Sequence, residues 1–547
     1  GLCFCLKEIG NQYQASRKYK LAKDCFEEVL THHPNNPDYL FNYGNALFAL
    51  NHFDKSIDAY KNSIKNNLKK PDSDTFNNLG NAYRHLSKNE DAMICYKKAL
   101  DINPESIHSK IELIHLMQNI CKWDGIDTLI NGIRNHVIDG GKGRISPFTV
   151  LSMPNFTNSD HSMVATNWSE QIKIKPFSKK SFSIKNRITI GYLSADFRSH
   201  PLYYLIFDIL KCHNKKMFNV KLFYSGPDES SSEHEAFKKL GYQFTNLSNT
   251  SDAQAAQLIR DEDVDILVDL SGFTKNSRSI IAAYKPARYH INWLGFAGSM
   301  GFHFNKPLFD FILSDKYIIP NNITNEYAEK VLYLPHCYQP NIEKRPPLTN
   351  KTKEDYGFNK TTFIYASFGQ SIKITKDQFN LWLDLLKNSP TAQLWLLESG
   401  ALCKDNLLLH AKQNGIEKSR IIFAPKVSIE EHINRHQIID LFLDTFPYNA
   451  HTSTSDAIWA ECPVLTLSGN TFASRVAGSI LKEIDCEELI THSKNEYFNK
   501  ALEFYNNPKE QSRIKKKIIS GKRNSIIFKP NIFTVNLEKI YSSLFSS

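Results

Sequence analysis

The sequence predicts a solenoid of helical repeats followed by two α/β lobes, each built on a parallel sheet. Three observations carry that expectation. Small and aromatic residues recur at intervals of 34 and 36 positions across the first hundred residues. From about residue 187, short apolar runs alternate with helix-length amphipathic stretches. The 547-residue chain is also long enough for three or four units of roughly 100–200 residues each.

The repeat comes first in the chain. Gly10, Gly44 and Gly80 align, and Tyr13, Leu47 and Tyr83 follow three positions later. Ala22, Ser56 and Ala92 follow at twelve, and Phe26, Tyr60 and Tyr96 at sixteen. Pro34 and Pro104 close the first and third units, and the Lys69–Pro71 insertion absorbs the longer spacing. Small residues where two helices cross, with aromatics filling the groove, form the tetratricopeptide pattern. Such a unit buries its apolar face only by stacking on neighbours. Asn11, Asn45 and Asn81, with Asn42 and Asn78, recur on the first helices. An amide ladder there can hold a peptide backbone, or the amides can simply be solvated. Residues 105–135 continue as helix toward Gly140, Gly141 and Gly143.

The lobes come next. Ile188–Leu193, Val220–Tyr224, Ile266–Leu270, Ile291–Leu294, Phe309–Leu313 and Val331–Leu334 read as strands of a first sheet. Phe363–Ala366, Leu394–Leu397, Ile421–Phe423, Leu441–Leu443 and Val464–Leu467 read as a second. Gln339–Asp355, rich in Pro, Asn and Lys, reads as the linker between them. Ligands of such sheets bind beyond the carboxyl ends of the strands.

Composition narrows the function classes. Hydrophobic residues are 41% and charged residues 23%, which excludes a mostly disordered chain. No apolar run reaches the ~18 residues of a membrane helix. Lys7 and Glu8 end the Leu2–Leu6 run too soon for a signal peptide. The 67 basic and 57 acidic residues leave +10, compatible with an anionic ligand or a Lys-rich solvated surface. Lys509–Arg523 lacks the interleaved aromatics of a nucleic-acid site and reads as a solvated helix face. The ten cysteines contain no CxxC pair, so neither disulfides nor a structural metal are expected. A cytoplasmic protein without a nucleic-acid or membrane partner follows.

Chemistry-bearing residues cluster at strand ends. Asp196 and His200 lie in Gly191-Tyr-Leu-Ser-Ala-Asp-Phe-Arg-Ser-His-Pro201, between a strand and a helix. An imidazole there can take a proton from a hydroxyl beside a carboxylate, though a capping Asp and a structural His fit the spacing equally. Trp293-Leu-Gly-Phe-Ala-Gly-Ser-Met-Gly301 allows close backbone approach to a ligand. Lys373, in Phe368-Gly-Gln-Ser-Ile-Lys373, can neutralise a diphosphate or simply face solvent. Leu443-Asp-Thr-Phe-Pro-Tyr-Asn-Ala-His-Thr-Ser-Thr-Ser-Asp456 runs from a strand into a helix. His451, Thr452 and Ser453 near that helix start form an anion cradle without a metal, and Asp456 is placed to accept from sugar hydroxyls.

In this order, the motifs GYLSADFRSHP, NWLGFAGSMG, FGQSIK, RIIFAP…EEH and LDTFPYNAHTSTSDAIWA resemble the protein O-linked N-acetylglucosamine transferase (SPINDLY-like) family. The resemblance covers nearly the whole chain. It implies an inverting, metal-independent glycosyltransferase with a GT-B type catalytic region of two Rossmann-like lobes behind the repeats. His200 then matches a proposed general base, Asp196 its nearby carboxylate, and Lys373 the lysine that steadies the leaving diphosphate. Gln370 precedes that lysine. His432 matches the histidine stacking on uracil, and His451, Thr452 and Ser453 match the diphosphate trio. Asp456 matches the ribose-binding aspartate, and Leu294 and Gly295 line the sugar pocket. The chain departs from the animal members at Ile429, where they carry a lysine, and at Tyr448, where they carry a cysteine. A histidine pair of those members has no counterpart around Ser146–Leu151.

The implied organisation is repeats over 1–106, a helical linker over 107–185, an N-terminal lobe over 186–345 and a C-terminal lobe with terminal helices over 346–547. The implied activity moves N-acetylglucosamine from UDP-GlcNAc to Ser or Thr hydroxyls of proteins or peptides bound along the repeat groove. A GDP-fucose or UDP-hexose donor is the closest rival. An inactive repeat scaffold is the rival from another class.

Overall fold

The protein is described by a computed structural model covering residues 2–16, 18–67, 72–141, 143–178 and 186–545. The Lys69–Pro71 insertion and residues 179–185, just before the first lobe, lie outside the described residues. The chain divides into two compact units, Gly1–His136 with Gly143–Ile145, and Val137–Lys142 with Ser146–Ser547.

The first unit is a stack of helix pairs: α1 (Leu2–Ala15) with α2 (Tyr19–His32), α3 (Pro37–Ala49) with α4 (Phe53–Asn66), α5 (Ser73–His85) with α6 (Asn89–Ile102), and α7 (Ile107–Asn119) with α8 (Ile126–Ile138). Asn36, Asp72 and Ser106 cap α3, α5 and α7, each side chain accepting from backbone N–H groups of the first turn. The turns inside the last three pairs each place one residue in the left-handed region: Asn51, Ser87 and Cys121. Their spacing matches that of the caps, so α7 and α8 form a fourth pair in register. The compact unit thus runs past the boundary expected at 106.

The small-against-aromatic pattern has a direct geometric cause. A Cβ built on Gly44 or Gly80 would lie 2.6 Å from the ring of Tyr60 or Tyr96, and one on Gly10 2.9 Å from the ring of Phe26. The expected asparagine ladder is partly engaged inside the solenoid. Asn45 Oδ1 accepts from Tyr60 Oη at 2.8 Å and from Asn78 Nδ2 at 2.9 Å, and Asn81 Oδ1 accepts from Tyr96 Oη at 2.7 Å.

The second unit opens with α9 (Pro147–Val150) and α10 (Asn158–Glu170), the latter started by a Thr157–Asp160 capping box. Its first sheet holds β1 (Ile188–Ser194), β2 (Phe218–Tyr224), β3 (Gln243–Asn246), β4 (Ile266–Asp269), β5 (Tyr289–Asn292), β8 (Phe311–Ser314) and β9 (Lys330–Tyr333). A two-stranded hairpin of β6 (Phe302–His303) and β7 (Lys306–Pro307) is inserted after β5. The order is β3-β2-β1-β4-β5-β8-β9, every pair parallel, with Ile190 opposite Val220 and Ile266. Helices α11 (Tyr203–Cys212), α12 (Ser232–Lys238) and α13 (Asp252–Asp261) connect its strands.

The second sheet holds β10 (Phe363–Ser367), β11 (Ala392–Leu397), β12 (Ile421–Ala424), β13 (Leu441–Leu443), β14 (Val464–Leu467) and β15 (Ile490–Thr491), in the parallel order β12-β11-β10-β13-β14-β15. Its connections are α14 (Lys376–Asn388), α15 (Ala401–Gln413), α16 (Ile429–Arg435), α17 (Thr452–Trp459) and α18 (Val476–Glu483). The central strands β1, β4, β10 and β13 are almost wholly buried, because helices cover both faces of each sheet. The chain ends in α19 (Lys494–Asn506), α20 (Pro508–Asn524) and α21 (Pro530–Ser543).

Two features tie the lobes together. Helix α21 leaves the second lobe and packs on α11 of the first, where Glu538 Oε1 meets His213 Nδ1 at 3.0 Å and Phe533 stacks beside Trp293. Tyr317 and Asp315, after β8, take hydrogen bonds to Ser468 (2.9 Å) and from Ser479 (2.6 Å) of the second lobe.

Gly44→Ala tests the repeat geometry. Tyr60 is 1% exposed and its hydroxyl is held by Asn45, so its ring cannot retreat. Overpacking of about 1–3 kcal/mol should outweigh a helix-propensity gain of about 1 kcal/mol. Thermal unfolding of the full chain should show a lower first transition for Gly44→Ala, and a smaller change for Gly10→Ala, whose neighbour Phe26 carries no hydroxyl anchor. An unchanged or raised transition for Gly44→Ala would contradict the packing account.

Candidate active site

In both sheets the strand order reverses beside the first strand, between β1 and β4 and between β10 and β13. Loops leaving the carboxyl ends of such a pair diverge and leave a crevice. The candidate residues sit at these points. Asp196 and His200 follow β1, Leu294 and Gly295 follow β5, Gln370 and Lys373 follow β10, and His451 to Asp456 follow β13.

On the first lobe, Asp196 is buried and its backbone N–H donates to Ser194 Oγ at 2.9 Å. Its Oδ1 accepts from Arg198 at 3.3 Å and lies 3.9 Å from His200 Nε2. His200 Nδ1 accepts from Leu202 N–H at 3.2 Å, so the proton of the neutral ring sits on Nε2, toward Asp196. Burial pulls the imidazole below its usual pKa, against the opposing pull of Asp196. At the next loop Leu294 adopts φ +68°, a strained conformation for leucine. A Cβ on Gly295 would lie 2.2 Å from the Leu270 carbonyl, so only glycine fits against the end of β4.

On the second lobe, the run after β13 folds around a buried carboxylate. Asp444 Oδ1 accepts from Thr445 N–H and Ala450 N–H at 2.7 and 2.5 Å, and Oδ2 from Thr466 Oγ1 at 2.6 Å. Burial pushes the Asp444 carboxyl upward. The same enclosure pulls Lys373 below the usual lysine range, with Asp444 acting in the opposite sense. Lys373 Nζ donates to the Asn449 carbonyl at 2.8 Å and stands 3.7 Å from the centre of the Tyr448 ring. His451 is the residue before α17, its Nε2 3.3 Å from the Ala473 carbonyl. Burial and the nearby Lys373 push its pKa down to about 3, so the ring is neutral near pH 7. Thr452 and Ser453 are the first two residues of α17, where backbone N–H groups lack helical partners. Gln370 is exposed at the start of the short turn that carries Lys373.

One turn into α17, Asp456 is buried and pairs with Arg345 of the interlobe segment. His432 Nε2 lies 3.7 Å from the other carboxylate oxygen. Arg435 Nη2 is 2.6 Å from His432 Nδ1, and its guanidinium lies over Phe368 at 4.2 Å. Burial and this Arg435 hold His432 neutral, its pKa down to about 3. A cavity of about 310 Å³ joins the two lobes here, lined by His200 and Tyr204 on one side and Ile429, Thr452 and Asp456 on the other.

The structure therefore brings His200, Thr452 and Asp456 to one cavity, and Lys373, His451 and Tyr448 to one cradle. Sequence reasoning missed Asp444 and Arg345. Asp444 stands in the strand-to-helix run, but its closeness to Lys373 shows only in the fold. Arg345 gave no signal, because its segment reads as linker. Among the described residues no group of His, Cys, Asp and Glu is placed to hold a metal ion, and no helix is long and apolar enough to cross a membrane.

Residues 161–344 and 340–537 match the sequence profile of Glycosyl transferase family 41. The chain belongs to that family. Tetratricopeptide profiles match residues 8–67 and 73–106. Among relatives of this family 41 chain, the Arabidopsis thaliana protein named probable UDP-N-acetylglucosamine–peptide N-acetylglucosaminyltransferase SEC is 27% identical over 79% of the chain and 46% of its own length. The Solanum lycopersicum SPINDLY protein is 26% identical over 65% of the chain and 38% of its own length. A Caenorhabditis elegans UDP-N-acetylglucosamine–peptide N-acetylglucosaminyltransferase is 22% identical over 66% and 41%. The chain thus spans less than half the length of these relatives. A lysine-to-methionine mutant of the Thermobaculum terrenum O-GlcNAc transferase shares the fold, with a TM-score of 0.70 over 99% of this chain and 96% of that one at 20% identity.

Asp444 offers a paired test. Asp444→Ala leaves three donors without an acceptor and should cost about 3–5 kcal/mol. Asp444→Asn keeps an oxygen for both N–H groups and lets the Thr466 hydroxyl turn to accept, so the cost should stay near about 1 kcal/mol. Equal unfolding midpoints for the two variants in urea would show that the carboxylate is not what holds the loop.

Proposed function

We propose that this family 41 protein transfers a sugar from a nucleoside diphosphate donor to a hydroxyl, with UDP-GlcNAc as donor and Ser or Thr of a protein as acceptor. One observation carries the reading: the Lys373 ammonium, the His451 ring and the free N–H groups of α17 converge beyond the carboxyl ends of β10 and β13 in the second parallel sheet. Cationic and N–H donors so gathered suit a diphosphate. The names of the relatives support the UDP-GlcNAc donor and the protein acceptor.

In this reading the acceptor oxygen attacks the anomeric carbon from the face opposite the diphosphate. The bond from that carbon to the β-phosphate oxygen breaks, its electron pair stays on the diphosphate, and configuration inverts. Lys373 and the Thr452 and Ser453 N–H groups meet the charge that grows on that oxygen. Donors placed before the reaction are the strongest form of such stabilisation. Asp456 takes the ribose, His432 the uracil face, and the turn at Leu294 and Gly295 borders the sugar. Gln370, at the mouth, completes the donor side. The acceptor polypeptide lies along the repeats, and the protein works in the cytoplasm, where its ten free thiols are stable.

The acceptor proton goes to a diphosphate oxygen or to Asp196. His200 Nδ1 already accepts from Leu202 and Nε2 bears the ring proton, so neither nitrogen offers a free lone pair. Loss of a general base costs about 10²–10⁴-fold in rate. His200→Ala is expected to lower kcat by less than about tenfold on that scale. A drop of 10³ or more, reversed by a different base in solution, would return the role to His200.

The donor reading is tested by calorimetry with UDP, UDP-GlcNAc, UDP-glucose and GDP-fucose on wild type and Lys373→Ala. UDP and UDP-GlcNAc should bind, and the variant should lose transfer to protein while still folding. Binding of GDP-fucose alone would keep the chemistry and replace the donor. Binding of none, with function in cells unaffected by Lys373→Ala, would leave a repeat scaffold.

A further inference from the structure

The segment between the lobes is not a loose linker where it passes α17. Gln339 Nε2 and Asn341 Nδ2 donate to Ser455 Oγ at 2.8 and 3.1 Å, and Trp459 Nε1 donates to the Pro346 carbonyl at 3.0 Å. These bonds lay the segment along the helix and deliver Arg345 to Asp456. The Arg345 side chain is only 2% exposed. Its Nη2 meets Asp456 Oδ1, its guanidinium lies 5.7 Å from the Tyr204 ring centre, and Nε and Nη1 have no hydrogen-bond partner among the described residues. Buried donors left unpaired are costly, and those a protein keeps call for a reason. The reason is at hand, because Arg345 lines the same 310 Å³ cavity as Asp456, Asn341 and Thr452.

A vicinal diol explains the pairing. Each hydroxyl offers one hydrogen and two lone pairs. A carboxylate can only accept, so Asp456 alone serves the hydrogens and leaves the lone pairs unserved. A guanidinium can only donate, and Nη1, on the same edge as the Nη2 that meets Asp456, can serve a hydroxyl oxygen next to that carboxylate. We propose that Arg345 is a specificity-determining residue that binds the donor's ribose, its unpaired Nη1 donating to an oxygen of the 2′,3′-diol beside the Nη2 that meets Asp456, while Asp456 accepts a hydrogen of the diol. This rests on the nucleoside diphosphate reading of the cleft. It makes the segment joining the lobes part of the nucleotide site, and it makes a ribonucleotide the required donor.

The experiment is calorimetry on the full chain with UDP and 2′-deoxy-UDP, for wild type, Arg345→Gln and Arg345→Lys, with thermal melts on each. Wild type should prefer UDP by about tenfold, the scale of one lost pair of hydrogen bonds. Arg345→Gln should weaken UDP by about tenfold and 2′-deoxy-UDP by less, so that the preference collapses toward one. Arg345→Lys keeps the charge on Asp456 without the fork and should lose most of the preference too, which gives a second reading if Arg345→Gln does not fold. Equal weakening of both nucleotides would place the guanidinium on the phosphates or in a purely structural role and overturn the inference alone. An unchanged preference in both variants would do the same. A wild type that binds no UDP would instead overturn the donor reading, and this inference with it.

Discussion

A single carboxylate without solvent exposure shapes the donor end of the cleft. Asp444 draws in Thr445 N–H and Ala450 N–H from opposite ends of a six-residue loop and pins it to Thr466 on the next strand. Everything in the cradle follows from that closure. The loop aims the Asn449 carbonyl at Lys373, and Asn449 Nδ2 in turn donates to the Thr445 carbonyl at 2.8 Å. Ala450 leads directly into His451 and the start of α17. A desolvated carboxylate beside a desolvated ammonium is a poor source of stability in itself, because each charge loses its hydration. Three donors on the carboxylate, and a carbonyl with an aromatic face on the ammonium, offset that loss. What the arrangement secures is an ammonium held in a fixed place beside the start of α17.

Much of the fold was legible because its packing leaves marks of size in the sequence. Gly44 and Gly80 are read easily since each faces an aromatic that tolerates no Cβ. The fourth pair hid because the complementarity changes there. One repeat beyond Gly80 and Tyr96 stand Ile114 and Ile130, both buried. Two medium side chains fill the space that a small and a large one fill elsewhere, so the helices pack and the signature disappears. Capping residues and left-handed turns kept the register, but those depend on backbone geometry that composition alone does not display. The asparagines show the reverse error. Their spacing was visible, yet the Tyr60 and Tyr96 hydroxyls that take two of their oxygens belong to the second helix of the same repeat.

The site was legible where it follows strands. In a doubly wound sheet the chain's reactive residues gather where strands end, and those ends are visible as the edges of apolar runs. His200, Lys373, His451 and Asp456 were picked out this way, and the fold places each of them after a strand end. Residues whose part depends on a partner from another element were not picked out. Asp444 stands just past the strand read over Leu441–Leu443, and nothing in the sequence shows the three donors that meet it. Arg345 sat among prolines and lysines that suggest solvent, because nothing local reveals that Ser455 would draw the segment onto a helix. The missing strands, β3 and β15, are short and carry polar residues at sheet edges, where alternation has little length in which to appear.

The same geometry couples the lobes to the nucleotide site. The chain crosses between them along α17 and again through α21, which packs on α11. Tyr317 and Asp315 add direct bonds at Ser468 and Ser479, close to the start and middle of the element that follows the cradle. A hinge between lobes would therefore have to bend through the Gln339–Pro346 segment, and that segment holds Arg345 against Asp456. Movement of the first lobe shifts the same guanidinium that faces the cavity. The interlobe segment thus reaches Asp456 on α17, whereas the loop that precedes α17 is fixed separately by Asp444. The loop before α17 is held by the internal tie at Asp444, while Arg345 is held at the cavity by the segment that joins the lobes.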